Sequence, residues 1–192
     1  MLRCYITDRR QVGGLEPLFG FIARALEIGV ELIQIREKDL SARELAAFTR
    51  RVLALPNPHR SLVVLNERVD VALACGAHGA HLPGNRVAPA QLRPILPKRF
   101  ILGVSCHTRE ELFRAQEEDA DYTFIGPVFR PLSKEDSREP LGIEGLRVAA
   151  AGLQIPSFAL GGITPETMAV CAQAGVPSVA GISLFQRRLL AE

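Results

Sequence analysis

The sequence predicts one (β/α)8 barrel, an α/β fold of the TIM-barrel type that covers residues 1–192. Three observations support it: eight short apolar runs, stretches of helical apolar spacing between them, and no linker-like segment. Such alternation requires parallel strands joined by crossover helices. Eight units favour closure into a barrel, and an open doubly wound sheet is the alternative. The predicted strands are residues 2–7, 30–35, 62–65, 79–82, 100–104, 122–125, 157–160 and 178–180.

Capping residues indicate where the predicted helices begin and end. Ser41 with Glu44, and Thr108 with Glu111, have the spacing of a capping box, in which each side chain accepts a bond from the other residue's backbone N–H. A glycine also stands where each of four predicted helices ends, as a left-handed residue after the helix requires. These glycines are Gly29, Gly76, Gly152 and Gly175.

Composition limits the kinds of partner that this chain can have. Hydrophobic residues make up 47% of it, and 23 basic against 21 acidic residues leave a formal charge of +2. Such a balance lacks the basic patch of a nucleic-acid-binding protein. No apolar run is long enough to span a membrane, and Asp8, Arg9 and Arg10 interrupt the first one. We therefore expect no membrane contact and a cytoplasmic location.

Glycine-bearing turns follow the predicted seventh and eighth strands. The first contains Gly161 and Gly162, and the second contains Gly181, Ile182 and Ser183. Both lead into helices, where backbone N–H groups and the helix dipole favour an anion. In TIM barrels the loops after these two strands frequently form a phosphate site. The turns therefore predict phosphate binding, and glycines that only make tight turns are the alternative.

The predicted second strand ends in Gln34, Arg36 and Lys38, which alternate and should share one face. Arginine offers a planar fork and lysine a mobile charge, so the trio suits a diphosphate. A solvated basic rim is the alternative. Further polar residues follow other strands or lie in the long loop over residues 126–141, which is predicted to be an active-site loop. They are Asn66, Glu67, Ser105 and Lys134.

Many of these residues belong to motifs of a known family. The chain resembles the thiamine phosphate synthase and TenI family over nearly its whole length. The matching motifs are Tyr5-Ile6-Thr7-Asp8, Gln34-Ile35-Arg36-Glu37-Lys38, Asn66-Glu67-Arg68-Val69-Asp70, Gly103-Val104-Ser105, Asp121-Tyr122, Gly126-Pro127-Val128-Phe129, Ser133-Lys134 and Gly161-Gly162-Ile163-Thr164-Pro165. The resemblance implies a transferase of thiamine biosynthesis that couples hydroxymethylpyrimidine diphosphate to thiazole phosphate and releases diphosphate, with Mg²⁺ as cofactor.

The resemblance also implies roles for the residues at matching positions. The catalytic set is Arg36, Lys38, Ser105 and Lys134. The substrate-binding set is Gln34, Asn66, His81, Ser133, Gly161, Gly162, Gly181, Ile182 and Ser183. The residues around the pyrimidine and its diphosphate would be Gln34, Arg36, Lys38, Asn66, Ser105 and Lys134. Gly162 and Ser183 would belong to the thiazole-phosphate site, and Glu67 would be a metal ligand.

Two positions depart from the pattern of the synthases. Where those enzymes carry two aspartates that hold Mg²⁺, this chain has Glu67 and Arg86. Glutamate can ligate Mg²⁺ through oxygen, although its extra methylene displaces the carboxylate, and arginine cannot ligate at all. Arg86 either replaces part of the charge of the metal or marks a chain that has lost synthase activity.

Two other functions therefore stay open. Residues 81–86 are similar to TenI-type proteins, some of which tautomerise thiazole carboxylate phosphate by moving a ring proton. Pro127 stands where some of those proteins carry a histidine. A proton shuttle would then come from Glu37, His81 or His107, and Glu37 is expected to be a plain surface carboxylate. The third function is a non-catalytic protein that binds phosphate. In each case we expect phosphorylated small molecules as partners, and a homodimer is allowed.

Overall fold

The computed structural model describes residues 1–130 and 138–189. Its eight parallel strands follow the order of the chain and close into a barrel, which confirms the predicted (β/α)8 fold. Each predicted strand coincides with an observed one to within two residues at either end. The strands are β1 (Arg3–Ile6), β2 (Leu32–Ile35), β3 (Leu62–Asn66), β4 (Gly79–Pro83), β5 (Ile101–Cys106), β6 (Tyr122–Ile125), β7 (Ser157–Ala159) and β8 (Ser178–Gly181).

Helices alternate with the strands. The α-helices are α1 (Leu15–Glu27), α2 (Ala42–Leu53), α3 (Val69–Cys75), α4 (Pro89–Leu92), α5 (Arg109–Glu117), α6 (Gly142–Ala150) and α7 (Pro165–Gln173). Two 3₁₀ turns and a C-terminal π-helix complete the order: Arg9–Gln11, Arg93–Ile95 and Phe185–Leu189. Within the described part of the chain, every helix falls short of the length and apolar character that crossing a membrane requires.

The capping predictions are confirmed at one helix and half confirmed at another. At the start of α2, Ser41 Oγ accepts from Glu44 N, and the Glu44 carboxylate accepts from Ser41 N. At the start of α5, Thr108 Oγ1 accepts from Glu111 N, but the Glu111 carboxylate accepts from His107 N instead. The predicted box at Thr108 is therefore wrong in its second bond, because Glu111 reaches one residue further back. All four predicted helix-end glycines have a positive φ: Gly29, Gly76, Gly152 and Gly175.

The chain divides into two compact units. The N-terminal unit comprises residues 4–81 with the residues from 182 onward, and the C-terminal unit comprises residues 1–3 and 82–181. The expectation that residues 1–192 form one domain stays a prediction.

The N-terminal unit pairs β1, β2, β3 and β4 in parallel and in order. Ile6 is in register with Gln34, and Asn66 is in register with His81. All four residues of β2 are buried, as expected for a strand covered on both faces of its sheet. This register aligns the polar residues at the ends of β2, β3 and β4.

The C-terminal unit pairs β5, β6, β7 and β8 in parallel. Its core contains three aromatic rings, on Tyr122, Phe124 and Phe158, whose centroids lie 5.6 to 5.7 Å apart. Gly103 makes room for the first of them, since a Cβ built there would lie 2.0 Å from Tyr122 Cζ. Tight packing of this kind fixes the ends of β5, β6 and β7, which carry polar residues and glycines.

Candidate active site

Three polar side chains form a hydrogen-bonded row at the ends of β2 and β3. Gln34 is 2% exposed, and its Nε2 donates to Asn66 Oδ1 at 3.2 Å. Asn66 Nδ2 in turn donates to Glu67 Oε1 at 3.3 Å. The row orients both amide groups, because each is held by a neighbour. Three of the predicted site residues are thus brought together.

Glu67 has a backbone conformation that is unusual for its residue type. Its φ is +61°, in the left-handed region, which costs an L-residue with a side chain roughly 1 kcal/mol or more. The conformation is fixed by Glu67 N, which donates to His81 O, and by Val69 N, which donates to Glu67 O. Strain of this kind concentrates at functional sites, which supports a role for this carboxylate.

Replacing Glu67 by glycine tests whether the carboxylate, held in a strained backbone conformation, contributes to activity. We expect Glu67→Gly to hold or raise stability, by up to about 1 kcal/mol, because glycine adopts a positive φ without steric conflict. Turnover of the two proposed substrates should nevertheless fall at least about tenfold, since the carboxylate is lost. Urea unfolding and steady-state kinetics measure the two effects.

Arg60 provides the matched control for Glu67. It also has a positive φ, of 57°, and it is exposed. Arg60→Gly should change stability in the same direction and leave turnover as it is. Full activity in Glu67→Gly would show that the strained carboxylate has no catalytic or binding role.

Arg36 follows the last residue of β2 and is half-buried. Its backbone N donates to Thr7 Oγ1 at 2.9 Å. Within residues 1–130 and 138–189, no hydrogen bond or ion pair engages its guanidinium. A partly desolvated arginine without a protein partner is a ready binding group for an anion.

The predicted alternation of Gln34, Arg36 and Lys38 runs past the end of its strand. Strand β2 ends at Ile35, and Lys38 lies in a turn that is closed by a bond from Leu40 N to Glu37 O. Lys38 is exposed. A period of two holds only inside a strand, so the shared face of Arg36 and Lys38 with Gln34 stays a prediction.

Glu37 is not the surface carboxylate that the sequence suggested. It is 5% exposed. Its Oε1 accepts from Thr7 Oγ1 at 2.6 Å, and its Oε2 accepts from Arg9 Nη1 at 3.1 Å. The Arg9 backbone N donates to both oxygens at 3.2 Å. The expectation failed because a charged residue can be buried when its bonds are satisfied.

His81 is 2% exposed and lies in β4, beside Asn66 in the sheet register. Burial lowers the pKa of His81 to about 3. The imidazole is therefore neutral at physiological pH. A neutral ring can hydrogen-bond a substrate, but it carries no charge toward a phosphate.

The buried His81 should make stability depend on pH. The unfolded chain takes up a proton near pH 6.5, whereas folded His81 resists protonation until about pH 3. Acid therefore favours the unfolded chain between these values, and we expect a loss of about 2 kcal/mol between pH 7.5 and pH 5. Urea unfolding of the wild type and of His81→Gln at both pH values measures this loss.

The control for His81 is His59→Gln, which removes an exposed histidine. It should keep the pH dependence of the wild type, whereas His81→Gln should lose most of it. An identical pH dependence in the wild type and in His81→Gln would contradict the assignment of His81 as a buried neutral imidazole.

The Gly161 and Gly162 turn after β7 is built against the segment that follows β6. Val128 N donates to Leu160 O at 2.8 Å, and Phe129 N donates to Gly161 O at 3.0 Å. Both glycines have positive φ, 94° and 61°. A Cβ on Gly162 would lie 2.6 Å from Arg130 O. The turn therefore needs glycine, both for conformation and for space.

The turn after β8 differs from its prediction in one detail. Gly181 is the last residue of the strand itself, so the turn begins at Ile182. Phe185 N and Gln186 N donate to Ile182 O, which shows that the turn leads into a helix as predicted. Ser183 is half-buried, and its Oγ donates to Gln11 Oε1 at 3.4 Å.

Strand β5 carries Ser105 near its end, and His107 follows the strand. Ser105 is half-buried. His107 Nδ1 lies 2.6 Å from Gly126 O, so Nδ1 donates to this carbonyl, and in the neutral form of the ring Nε2 is the acceptor. Cys106 lies between them, and burial raises the pKa of its thiol to about 12. The thiol is thus no nucleophile at neutral pH.

The described residues do not fit a Mg²⁺ site that the protein alone completes. Glu67 is exposed and shares its carboxylate with Asn66, and Arg86 is exposed and cationic. Across residues 1–130 and 138–189, no group of three His, Cys, Asp or Glu side chains is placed to hold a metal. Mg²⁺ takes six oxygens, commonly from one or two carboxylates together with water and substrate phosphates, so the Glu67 carboxylate alone does not complete a site.

Two predicted site residues lie outside the described part of the chain, and two polar residues near the strand ends were not predicted from the sequence. Ser133 and Lys134 lie outside the described residues. Thr7, although it is in a matching motif, was not singled out, and neither was Gln186, which is 5% exposed and donates from Nε2 to Tyr5 Oη and Asp8 O. The available signal was position: Thr7 directly follows β1, at the end where barrel enzymes carry their functional residues.

The fold and these strand-end residues together define a class. A closed parallel barrel, an arginine without a side-chain partner among the described residues, an oriented amide row after β2 and β3, and a glycine turn after β7 are features of a (β/α)8-barrel enzyme that acts on anionic small molecules.

Comparison with known proteins identifies the family. Residues 4–185 match a family model described as thiamine monophosphate synthase. The chain is 38% identical over 180 residues to the thiamine-phosphate synthase of Moorella thermoacetica, covering 93% of this chain and 85% of that one. It is 35% identical over 182 residues to that of Albidiferax ferrireducens, covering 95% and 83%. The chain therefore belongs to the thiamine monophosphate synthase family.

A solved structure agrees with the sequence comparisons. The thiamine phosphate pyrophosphorylase from Pyrococcus furiosus superposes with a TM-score of 0.81 at 32% identity. The match covers 95% of this chain and 85% of that one. The structural similarity thus extends over nearly the whole chain.

Proposed function

We propose that this chain is a thiamine-phosphate synthase, a transferase that joins hydroxymethylpyrimidine diphosphate to thiazole phosphate. One observation supports this most strongly: the family match over residues 4–185 includes the C-terminal ends of all eight strands, where the predicted site residues lie. The Arg36 guanidinium, which has no partner among residues 1–130 and 138–189, supports it independently, because arginine binds phosphate oxygens through paired hydrogen bonds.

In the proposed reaction, the C–O bond between the pyrimidine methylene and diphosphate breaks, and its electron pair leaves with diphosphate. The lone pair of the thiazole nitrogen then forms the new C–N bond. The protein must therefore stabilise a departing polyanion and exclude water. We assign the polyanion to Arg36, Lys38 and, outside the described residues, Lys134.

The remaining site residues would orient the two substrates. Gln34, Asn66, His81 and Ser105 offer hydrogen-bonding groups for the pyrimidine part, with Ser133 as a further contact outside the described residues. We assign the thiazole phosphate to the backbone and hydroxyl donors of the two turns after β7 and β8. These are Gly161, Gly162, Gly181, Ile182 and Ser183.

Mg²⁺ remains a separate proposal. No step above passes through a metal, because the described residues do not fit a complete site. If Glu67 contributes to Mg²⁺ binding, turnover should rise with added Mg²⁺ and fall in excess chelator. We also propose a cytoplasmic protein with small phosphorylated molecules as partners, without nucleic acid or membrane, and compatible with a homodimer.

The experiment combines purified chain, both substrates and Mg²⁺, and follows diphosphate and thiamine phosphate by phosphorus NMR. We expect the two products in a one-to-one ratio. No product from verified substrates would contradict the proposed synthase. Binding of thiazole phosphate without turnover would then indicate a protein that only binds phosphate.

A tautomerase is the second candidate, and His107 is the observation that favours it. Glu37 is fully bonded, and His81 is buried with a lowered pKa. His107 is half-buried, and because its Nδ1 donates to Gly126 O, Nε2 of the neutral ring is the nitrogen that can accept a proton. The test follows exchange of the thiazole ring proton for deuterium. Exchange that persists in excess chelator but is lost in His107→Gln would support this activity. A rate no higher than that in buffer alone would exclude it.

A further inference from the structure

Arginine side chains form hydrogen-bonded ion pairs with carboxylates in the segments that follow β1 and β2. Arg9 Nη1 and Nη2 donate to the two carboxylate oxygens of Asp39 at 2.6 and 2.7 Å, and Nη1 also donates to Glu37 at 3.1 Å. Arg10 Nη2 donates to Asp39 at 2.9 Å. Two of the three arginines are therefore neutralised by acidic partners, and Arg36 alone among these three keeps its charge unpaired within the described residues.

Glu37 is the buried member of this group. A buried carboxylate is unfavourable unless it is paired and hydrogen-bonded. Here it accepts from the Thr7 hydroxyl, from the Arg9 backbone and from the Arg9 guanidinium. These bonds hold Arg9 away from any bound anion, because its guanidinium is engaged by two carboxylates.

The Thr7 hydroxyl connects Glu37 to Arg36. It is fully buried, it donates its proton to Glu37 Oε1 at 2.6 Å, and it accepts from Arg36 N at 2.9 Å. A hydroxyl has only one proton to donate. Because Glu37 takes that proton, the lone pairs of the hydroxyl face the Arg36 N–H, and the backbone of Arg36 is fixed.

We propose that Thr7 and Glu37 are positioning residues that hold Arg36 as the free cation for the diphosphate. Thr7 fixes the Arg36 backbone, and Glu37 fixes the Thr7 hydroxyl while it binds Arg9. The inference rests on the proposed function, in which Arg36 binds diphosphate. Neither Thr7 nor Glu37 needs to touch the substrate.

Thr7→Val is the first test, because valine has nearly the shape of threonine but leaves the Arg36 N–H without the hydroxyl that accepts its hydrogen bond. We expect calorimetry to show inorganic diphosphate binding about tenfold more weakly, since the group that fixes Arg36 is lost. Affinity for thiazole phosphate should stay within about twofold of the wild type. Thr7→Ser keeps the hydroxyl and should restore diphosphate affinity to within about threefold.

The matched control is Thr49→Val. Thr49 is also fully buried, but within the described residues its Oγ1 has no hydrogen-bond partner. The control should bind diphosphate as the wild type does. If Thr7→Val does not fold, Glu37→Gln replaces it, and we expect the same selective loss of diphosphate affinity.

The outcomes separate this inference from the proposed function. If the wild type neither binds diphosphate nor forms product, the proposed function fails. If the wild type binds diphosphate and both Thr7→Val and Glu37→Gln bind it equally well, the positioning role alone is wrong. Equal weakening of both ligands, or a Thr7→Ser variant as weak as Thr7→Val, would indicate a merely structural role and would also overturn the inference.

Discussion

Replacing Arg36 by glutamine is expected to lower kcat/KM for thiamine phosphate formation by a factor on the order of 10²–10³. The half-buried guanidinium has no partner within the described residues, so its charge is available to the departing diphosphate. That charge develops as the C–O bond breaks, and a cation held in place stabilises it without having to reorganise. Steady-state kinetics with both substrates measure the loss.

Two further variants show whether Arg36 acts by charge or by shape. Arg36→Lys keeps the charge but loses the planar fork, so we expect it to recover only part of the activity. Arg43→Gln removes an exposed arginine of α2 and the same unit of charge, and it should leave kcat/KM within about twofold. If Arg36→Gln and Arg43→Gln have the same activity, Arg36 does not bind the diphosphate.

The second large effect is expected for Gly162→Ala. The new methyl group would lie 2.6 Å from Arg130 O and 2.8 Å from Phe129 Cβ, at a φ of +61°. Steric crowding and the left-handed conformation together should destabilise the fold by about 2–4 kcal/mol. The turn must move to relieve this contact, so KM for thiazole phosphate should rise at least about tenfold. Urea unfolding and kinetics at a temperature where the variant is folded measure both effects.

Gly175→Ala separates the two causes. Gly175 also has a positive φ, of 89°, but nothing lies within 4 Å of a Cβ built there. This control should therefore lose only about 1 kcal/mol of stability and keep the KM of the wild type. If Gly162→Ala and Gly175→Ala change stability and KM equally, the close contact at Gly162 does not determine the conformation or the function of the turn after β7.

The fold could be predicted from local patterns because each pair of strand and helix carries the same sequence signals: an apolar run, helical spacing and capping residues. An apolar run such as β2 is buried on both faces, so its composition alone indicates a parallel strand. Helix ends are equally local: Ser41 with Glu44 forms its capping box within four residues, and Gly76 adopts the left-handed conformation that ends α3.

The site could be predicted only in part, because its contacts are not local. Gln34 and Asn66 were found from their positions at strand ends. The burial of Glu37 could not be found in this way, since it depends on Thr7 and Arg9, which lie about 30 residues earlier in the chain. The alternation that predicted one face for Gln34, Arg36 and Lys38 was carried past Ile35, where β2 ends.

The central claim is that two sets of strand-end residues bind two different anions. It is tested most directly by calorimetric titration of the wild type, Arg36→Gln and Gly162→Ala, each with inorganic diphosphate and with thiazole phosphate. We predict that Arg36→Gln loses at least about tenfold in affinity for diphosphate alone, and Gly162→Ala for thiazole phosphate alone. A wild type that binds neither ligand, or two variants that weaken both ligands equally, would contradict the claim.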